Sequence, residues 1–312
     1  MILWNSSILL RVYFISEKVH ITTAMYEIRP LRLSDREDIL EIARHIWEGH
    51  DYIPHLFDTW LNDKHSYTAA IEQDSHVVAL ANLRVIENGK TGWMEGLRVH
   101  PDYRGRGYAK ILTQHVAELA KEIPVERIRY TTAADNETSL HLGESVGMRR
   151  KFDLAVHWQD IENEISWSVS QNPVREVSVA ELYPRVLDAE LFPHNVIVYD
   201  WKALDVSREG LEKIGKDSRF WIQTIEDEIV SFSLGLTRED QSGAHWSFSI
   251  YAKDSSTFLD QLAHQVKMTF DTGRKSFFVT YQTDFVESLY SLDWVKRYDD
   301  DSMTLTLLER TF

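Results

Sequence analysis

The spacing of hydrophobic residues along this chain alternates between the two-residue period of strands and the three-to-four-residue period of helices. Between residues 26 and 158 these changes predict strands and helices in a regular order. The predicted strands lie at 26–33 and about 67–73, 76–87, 91–99, 126–133 and 149–158, and the predicted helices follow Ser34, open at Tyr108 and span 136–146. This order indicates a mixed α/β fold with a central sheet and flanking helices.

Local signals support several of these boundaries. Residues 34–37 have the pattern of a capping box in front of the first helix. Asn88-Gly89 is a strong hairpin signal between two predicted strands. Pro54 prevents the aromatic and histidine-rich stretch from 47 to 61 from forming one continuous helix.

The pattern returns in the second half of the chain at an offset near 150 residues. Residues 159–176 are polar, contain Pro173 and are predicted to be a linker. Beyond them, the strand-strand-strand-helix-strand-helix order repeats over residues 221–294. We therefore predict one domain over 25–158 and a second, degenerate copy over 177–312. The second copy has no glycine between Tyr251 and Phe258, so a structural role is expected for it.

Composition narrows the class of protein. The chain has 312 residues, a net charge of −15 and no cysteine. The negative charge argues against general nucleic-acid binding. The lack of cysteine excludes disulfides and thiolate chemistry, and it is typical of a cytoplasmic protein.

Residues 1–24 precede the first predicted strand. Their apolar part, residues 1–16, is too short for a membrane span and is interrupted by Asn5-Ser6-Ser7 and Arg11. No basic region or clear cleavage site marks a signal peptide. We expect a disordered or artefactual extension and no membrane association.

The stretch from Glu95 to Ala109 carries the clearest chemistry. A strand end leads through Pro101 into Arg-Gly-Arg-Gly, which opens an amphipathic helix. Glycines and arginines at a helix N-terminus expose backbone N–H groups beside positive charge, which suits a diphosphate. The loop has neither the Gly-Lys-Ser/Thr of a P-loop nor the third glycine of a dinucleotide fold.

This loop resembles the acetyl-CoA loop of the GNAT acetyltransferases. Arg104, Gly107 and Ala109 match its Arg-x-x-Gly-x-Ala pattern, and residues 97–101 resemble the Leu-x-Val-x-Pro strand of that family. The resemblance implies a GNAT fold and acetyl-CoA as co-substrate, and no metal is expected. It assigns acetyl-CoA binding to Leu97, Val99, Arg104, Gly105, Arg106, Gly107, Tyr108 and Ala109.

Residues 135–148 resemble a later helix of the same family. The resemblance carries a CoA contact to Asn136, although a helix-capping role alone explains this residue equally well. Many GNAT enzymes have a tyrosine four residues before the closing glycine, and that tyrosine is credited with protonating the departing thiolate. Here that position is Gly143, which weakens the general-acid assignment and leaves room for a substrate or for the pantetheine arm.

Glu95 is the candidate general base. Strand alternation would place Glu95 and Val99 on one face and Arg98 on the other, and GNAT enzymes often have a glutamate in this strand. The alternative is a salt-bridged or exposed strand glutamate. The spacings of His45, His50, His55 and His65 fit no metal site on one helix face.

Residues 49–54 and Trp60-Leu61 resemble the histidine N-acetyltransferase branch of GNAT proteins found in animals. The resemblance implies acetyl transfer to the α-amine of a free amino acid such as histidine, with Asp51 or Tyr52 contacting the acceptor. A turn or N-cap role also explains Asp51. Two other functions stay open, namely acetylation of protein or peptide amines and a catalytically silent acetyl-CoA-binding module.

Overall fold

The computed structural model describes residues 26–46, 49, 51–161, 165, 172–199, 201–240, 243–297 and 303–312. The expectations for residues 1–24, for His50 and for most of the 159–176 linker lie outside these residues. The described chain forms two compact units, one up to Ile128 with Thr311–Phe312 and one over Arg129–Arg310. The predicted boundaries at 158 and 177 stay a prediction.

The first unit is built on an antiparallel run of strands in the order β1-β2-β3-β4. A cluster of buried apolar side chains from the sheet and from its first two helices forms a core here, with Ile39, Phe57 and Leu80 among its members. The elements of this unit are β1 (Tyr26–Pro30), α1 (Arg36–Arg44), α2 (Ile53–Asn62), β2 (Ser66–Gln73), β3 (His76–Ile86), β4 (Thr91–Val99) and α3 (Tyr108–Glu122).

The break between α1 and α2 follows the prediction from Pro54. This residue lies in the first turn of α2, where a missing N–H group removes no helical hydrogen bond. The predicted capping box at Ser34–Glu37 is wrong. The N-cap of α1 is Asp35, which makes no capping hydrogen bond from its side chain. Its buried carboxylate accepts from Arg29 Nη1 at 2.7 Å and Nη2 at 2.8 Å instead.

The second unit contains a larger mixed sheet, entered through β5 (Arg127–Ala133), with the strand order β5-β14-β6-β13-β12-β11-β10-β7. Its core is rich in aromatic residues, including Trp221, Phe248 and Phe277. Its other elements are α4 (Glu137–Ser145), β6 (Arg149–Asp160), β7 (Arg175–Val177), α5 (Val179–Leu182), α6 (Arg185–Asp188), β8 (Val196–Tyr199), β9 (Lys202–Asp205), α7 (Arg208–Ile214), β10 (Arg219–Ile225), β11 (Glu228–Asp240), β12 (Gly243–Ala252), α8 (Ser255–Asp271), β13 (Ser276–Gln282), α9 (Val286–Tyr290) and β14 (Thr304–Thr311).

The elements from β10 to α9 have the order expected from the repeated pattern. Three antiparallel strands precede α8, and β13 then returns parallel to β12. The mixed α/β fold is confirmed, while the origin of this region as a degenerate copy stays a prediction. Within the described residues, no helix combines the length and the apolar character needed to cross a bilayer.

Candidate active site

The loop between β4 and α3 has the backbone shape expected from its glycines. Gly105 and Gly107 adopt φ values of 75° and 83°, in the left-handed region that glycine enters without steric cost. A Cβ atom built on either glycine would meet nothing within 4 Å. Residues 104–107 are all exposed, so the loop offers an open backbone surface to a ligand.

The N-terminus of α3 leaves its backbone donors available. Gly107 is its N-cap and makes no side-chain hydrogen bond, and the first helical bond at this end runs from Ile111 N–H to Gly107 O at 3.0 Å. The backbone N–H groups of the first turn of α3, before Ile111, point out of the N-terminus of the helix, at the positive end of its dipole. Tyr108 contributes only its backbone here, because its side chain is buried and donates to Gln73.

Both loop arginines are exposed and lie beside this turn. Arg104 Nε lies 3.4 Å from the carbonyl oxygen of Val99, and Arg106 Nη2 donates to the carbonyl of Asp102 at 3.0 Å. The Arg106 guanidinium also stacks on the Tyr103 ring at 4.6 Å. Together with the uncapped helix turn, these cations fit the charge and size of a diphosphate.

The corresponding turn of the second unit is built differently. At the start of α8, the Asp254 side chain accepts from Thr257 N–H at 2.9 Å. A carboxylate at this position satisfies a helix donor from within the protein and repels an anion. The start of α8 therefore differs in its capping from the start of α3, and the structural role expected for the second copy stays a prediction.

A β-bulge in β4 changes which side chains share a face. Asn82 pairs with Glu95, but Leu80 pairs with Arg98, so Gly96 and Leu97 together oppose a single residue of β3. The extra residue reverses the alternation. Glu95 and Arg98 therefore lie on the same face of the sheet, and Val99 lies on the other face. The expectations that Glu95 shares a face with Val99 and that Arg98 points away from Glu95 are both wrong.

Glu95 is held by two N–H donors. Trp60 Nε1 and Asn82 Nδ2 donate to the same carboxylate oxygen, Oε1, at 2.9 and 3.0 Å. Among the described residues, Oε2 of Glu95 has no hydrogen-bond partner, and the side chain is half-buried. No cation pairs with Glu95 within the described chain, so the alternative of a salt-bridged strand glutamate does not account for it.

Asp51 and Arg98 form a buried ion pair on the same face. Arg98 Nε and Nη2 donate to the two oxygens of Asp51, each at 3.0 Å. The Asp51 side chain has no exposed surface, and Oδ1 also accepts from Ile53 N–H at 3.3 Å. Direct contact between Asp51 and an acceptor would therefore require this pair to open, whereas Arg98 keeps 13% of its side chain exposed.

Tyr52 lies next to this pair, with the Arg98 guanidinium 5.3 Å from its ring centroid. It is 38% exposed, so part of the ring faces solvent. Burial of the phenol group raises the pKa of Tyr52, Arg98 lowers it, and Glu95 and Asp51 raise it further. Both acidic side chains are thus close enough to act electrostatically on the phenol.

Asn136 and Gly143 belong to the second unit. Asn136 caps α4 by accepting from Ser139 N–H at 3.0 Å, as the capping alternative predicts, and its contact with CoA stays a prediction. The space beside Gly143 is filled, because a Cβ atom there would lie 2.4 Å from the Tyr130 hydroxyl. The idea that this glycine leaves room for a substrate is therefore wrong.

The structure brings together three possible metal ligands that the histidine spacings did not reveal. Glu41, His45 and His100 have ligand atoms within 4.8 Å of one another. Internal bonds already account for them: Glu41 pairs with Arg44 and His45, and His100 Nδ1 accepts from Asp102 N–H at 3.3 Å. That bond requires the hydrogen of a neutral His100 to be on Nε2, which leaves no lone pair there for a metal. The absence of a metal site stays a prediction.

Sequence reasoning missed Asn82 and the position of Arg98. An amide within an otherwise apolar strand is the sequence signal that could have found Asn82. The structure shows that this amide is fully buried, and a buried polar group requires a hydrogen-bond partner. No sequence pattern marked the bulge except Gly96, which has a φ of 69°.

Residues 33–148 match the family model described as "Acetyltransferase (GNAT) family". The chain is 26% identical over 201 residues to "Histidine N-acetyltransferase" of Xenopus tropicalis, which covers 60% of this chain and 62% of the relative. It is 36% identical over 85 residues to human "Probable N-acetyltransferase 16", covering 27% and 23% of the two chains. The chain spans 56–62% of the length of the curated histidine N-acetyltransferases that it matches.

A solved structure with the same fold is a GCN5-related N-acetyltransferase from Sphaerobacter thermophilus. Its TM-score is 0.60 at 14% identity, and the match covers 92% of this chain and 95% of that one. The fold, the loop geometry and the family match agree. The match to the GNAT acetyltransferase family covers residues 33–148 of this protein.

Proposed function

We propose that this protein is an acetyl-CoA-dependent N-acetyltransferase that acts on the amine of a small molecule. The observation that carries the proposal is the uncapped N-terminus of α3 behind Gly105 and Gly107, flanked by Arg104 and Arg106. These groups would hold the diphosphate of acetyl-CoA through backbone N–H groups and guanidinium charge.

In the proposed reaction the neutral amine nitrogen attacks the thioester carbonyl carbon. The C–N bond forms, the C–S bond breaks, the nitrogen loses one proton, and the CoA sulfur leaves as thiolate or thiol. Glu95 would take the proton from the amine, directly or through water, at its Oε2. Backbone N–H groups at the irregular end of β4 near Val99 would polarise the carbonyl oxygen.

A free amino acid, with histidine first, is the proposed acceptor. Relatives named "Histidine N-acetyltransferase" support this choice. The face that bears Glu95 also bears Arg98 and the adjoining Tyr52. This mixture of a carboxylate, a cation and an aromatic group suits a zwitterion with an imidazole side chain.

The test is thiol release from acetyl-CoA by the purified full chain, with free amino acids including histidine, a polyamine and a peptide amine as acceptors. Turnover with histidine well above the other amines is the expected result. Faster turnover with the peptide would move the assignment to protein amines. Arg104→Glu should weaken acetyl-CoA binding at least about 10-fold, and Glu95→Gln should lose turnover with acetyl-CoA binding retained.

One observation favours a second candidate, a silent acetyl-CoA-binding module. Gly143 takes the position where many family members have a tyrosine. Measurable binding of acetyl-CoA without thiol release for every acceptor would support this second function and reject the first.

A further inference from the structure

We propose that Trp60 and Asn82 are positioning residues that orient the Glu95 carboxylate so that Oε2 receives the proton from the acceptor amine. This inference rests on the proposed acetyl transfer. It assigns roles to residues on β3 and α2, far in sequence from the acetyl-CoA loop.

The direction of the two hydrogen bonds makes the carboxylate asymmetric. The indole Nε1 of Trp60 can only donate, and so can the Nδ2 of Asn82. Both donate to Oε1 of Glu95, at 2.9 and 3.0 Å. Two donors on one oxygen use its lone pairs, so a proton entering this group goes to Oε2.

The orientation of the Asn82 amide is itself fixed. The Glu95 carboxylate accepts only, so the amide turns its Nδ2 toward Glu95, and Thr68 Oγ1 donates to Oδ1 at the opposite end at 2.9 Å. Asn82 is fully buried and Thr68 nearly so. An amide flip would turn Asn82 Oδ1 toward Glu95 Oε1, so two acceptors would face each other and the carboxylate would lose a buried donor.

Trp60 is held against the β4 bulge. A Cβ atom on Gly96 would lie 2.2 Å from the Trp60 ring, so the ring packs directly on this glycine. Trp60 is 2% exposed, between the apolar side chains that also surround Phe57 and Leu80. Close packing leaves the ring one orientation, the one that aims Nε1 at Glu95.

A rigid carboxylate helps a general base because proton transfer requires the oxygen to be within hydrogen-bonding reach of the proton. The bulge, the indole and the amide together set the position of Glu95 Oε2 before the acceptor binds. Orienting Glu95 is a different role from binding acetyl-CoA. Loss of the hydrogen bond from Trp60 or Asn82 should therefore lower kcat and leave the KM for acetyl-CoA unchanged.

The experiment is a double-mutant cycle between Trp60→Phe and Glu95→Gln, with kcat and both KM values measured on the full chain. Trp60→Phe keeps an aromatic ring and removes the N–H donor. Trp93→Phe is the matched control, because Trp93 is also buried, on β4, and has no hydrogen bond to Glu95. Thermal unfolding of each variant establishes that it is folded.

We expect Trp60→Phe to lower kcat about 10-fold, a part of the 10²–10⁴ that a general base contributes. Trp93→Phe should stay within about 2-fold of the unchanged chain. In the Glu95→Gln background, Trp60→Phe should cost nothing further, because its effect acts through the lost carboxylate. Thr68→Val, which does not touch Glu95, should give an intermediate loss by releasing the Asn82 amide.

Each other outcome overturns the proposal. Equal and additive losses from Trp60→Phe in both backgrounds would make Trp60 a structural residue only. A loss confined to the KM for acetyl-CoA would place Trp60 in cofactor binding. Turnover that survives Glu95→Gln would show that Glu95 is not the general base, and it would leave the acetyltransferase assignment intact. Absence of turnover by the unchanged chain would reject both the acetyltransferase assignment and the positioning roles.

Discussion

Gly143 illustrates how a single missing side chain is explained by its neighbours. The Tyr130 hydroxyl donates to Ser139 O at 2.6 Å and occupies the space into which a residue-143 side chain would grow. Leu308 closes the same space, 2.9 Å from the ideal Cβ position. Because the Tyr130 phenol from β5 packs directly on α4, this position of the helix is occupied by glycine, although glycine has a low helix propensity.

We predict that Gly143→Ala lowers the free energy of unfolding by about 1–3 kcal/mol through overpacking. Helix propensity alone would raise that free energy by about 1 kcal/mol. Urea unfolding separates the two signs. Tyr130→Phe combined with Gly143→Ala should recover part of the loss, because it removes the hydroxyl that collides with the new methyl group.

Gly96 is a second residue whose side chain is excluded by a neighbour. We predict that Gly96→Ala costs at least about 1 kcal/mol of unfolding free energy, since alanine must adopt a positive φ there. It should also lower kcat by moving the Trp60 ring. Indole fluorescence that shifts in Gly96→Ala and stays unchanged in Gly89→Ala is the expected readout, because Gly89 also has a positive φ but a Cβ atom there would meet nothing within 4 Å. Unchanged fluorescence and kcat would contradict it.

At the scale of elements, α3 and α8 differ in how their first turns are capped. Asp254 satisfies a donor of α8 from its own side chain, while Gly107 leaves the donors of α3 to a ligand. The glycines and the arginines of the loop are visible in the sequence, and so was the lack of glycine before α8. Capping chemistry is local, and that is why the sequence predicted this contrast.

We predict opposite consequences for changes at the two helix starts. Asp254→Ala should lower the free energy of unfolding by about 1 kcal/mol, the usual value of an N-cap, and leave acetyl-CoA affinity unchanged. Arg104→Glu should weaken acetyl-CoA binding at least about 10-fold through charge reversal beside the diphosphate and leave stability unchanged. Calorimetric titration and urea unfolding of both variants test this. Loss of affinity in Asp254→Ala would contradict it.

The helix α8 also shows what periodicity did not reveal. Its apolar positions Phe258, Leu262 and Val266 are buried as the pattern predicts. Gln261 and Gln265 are equally buried and bond to Ser233 at 2.7 Å. A hydrophobic pattern predicts that a glutamine on a helix faces solvent. Its burial can be explained only once its hydrogen-bond partner on the sheet is known.

At the scale of the whole molecule, one buried and two half-buried histidines link stability to pH. Burial lowers the pKa of His264 to about 4, with Lys267 and Arg219 adding to the effect. Burial also lowers the pKa of His115 and of His157. The unfolded chain binds protons at these residues from about pH 6.5 downwards, so stability decreases as the pH falls below this value.

We predict that the free energy of unfolding falls between pH 7 and pH 4.5, and that His264→Phe reduces this fall. The unfolded state binds more protons than the folded state over this range, so its free energy drops relative to the folded state on acidification. Urea unfolding at several pH values measures the slope. His141→Phe, at an exposed position, is the control and should leave the slope unchanged; an equal slope in His264→Phe would contradict the prediction.

The amino-acid sequence was sufficient to predict the order of strands and helices over 26–158 and 221–294, the α/β class, the break before α2 at Pro54 and the backbone shape of the glycine loop before α3. These features depend on hydrophobic period and on backbone preferences within a few residues, which a sequence displays directly. The family resemblance rests on the same local patterns, and the family match confirms it.

The face of Arg98, the partners of Glu95 and the packing that excludes a side chain at Gly143 could not be predicted from the sequence and became apparent from the three-dimensional packing. Trp60 and Glu95 are separated by 35 residues, and Asn82 and Glu95 by 13. Their contacts follow from one inserted residue in β4 and from the packing of α2 on the sheet. Strand register and side-chain packing are properties of several segments at once, so no single stretch of sequence contains them.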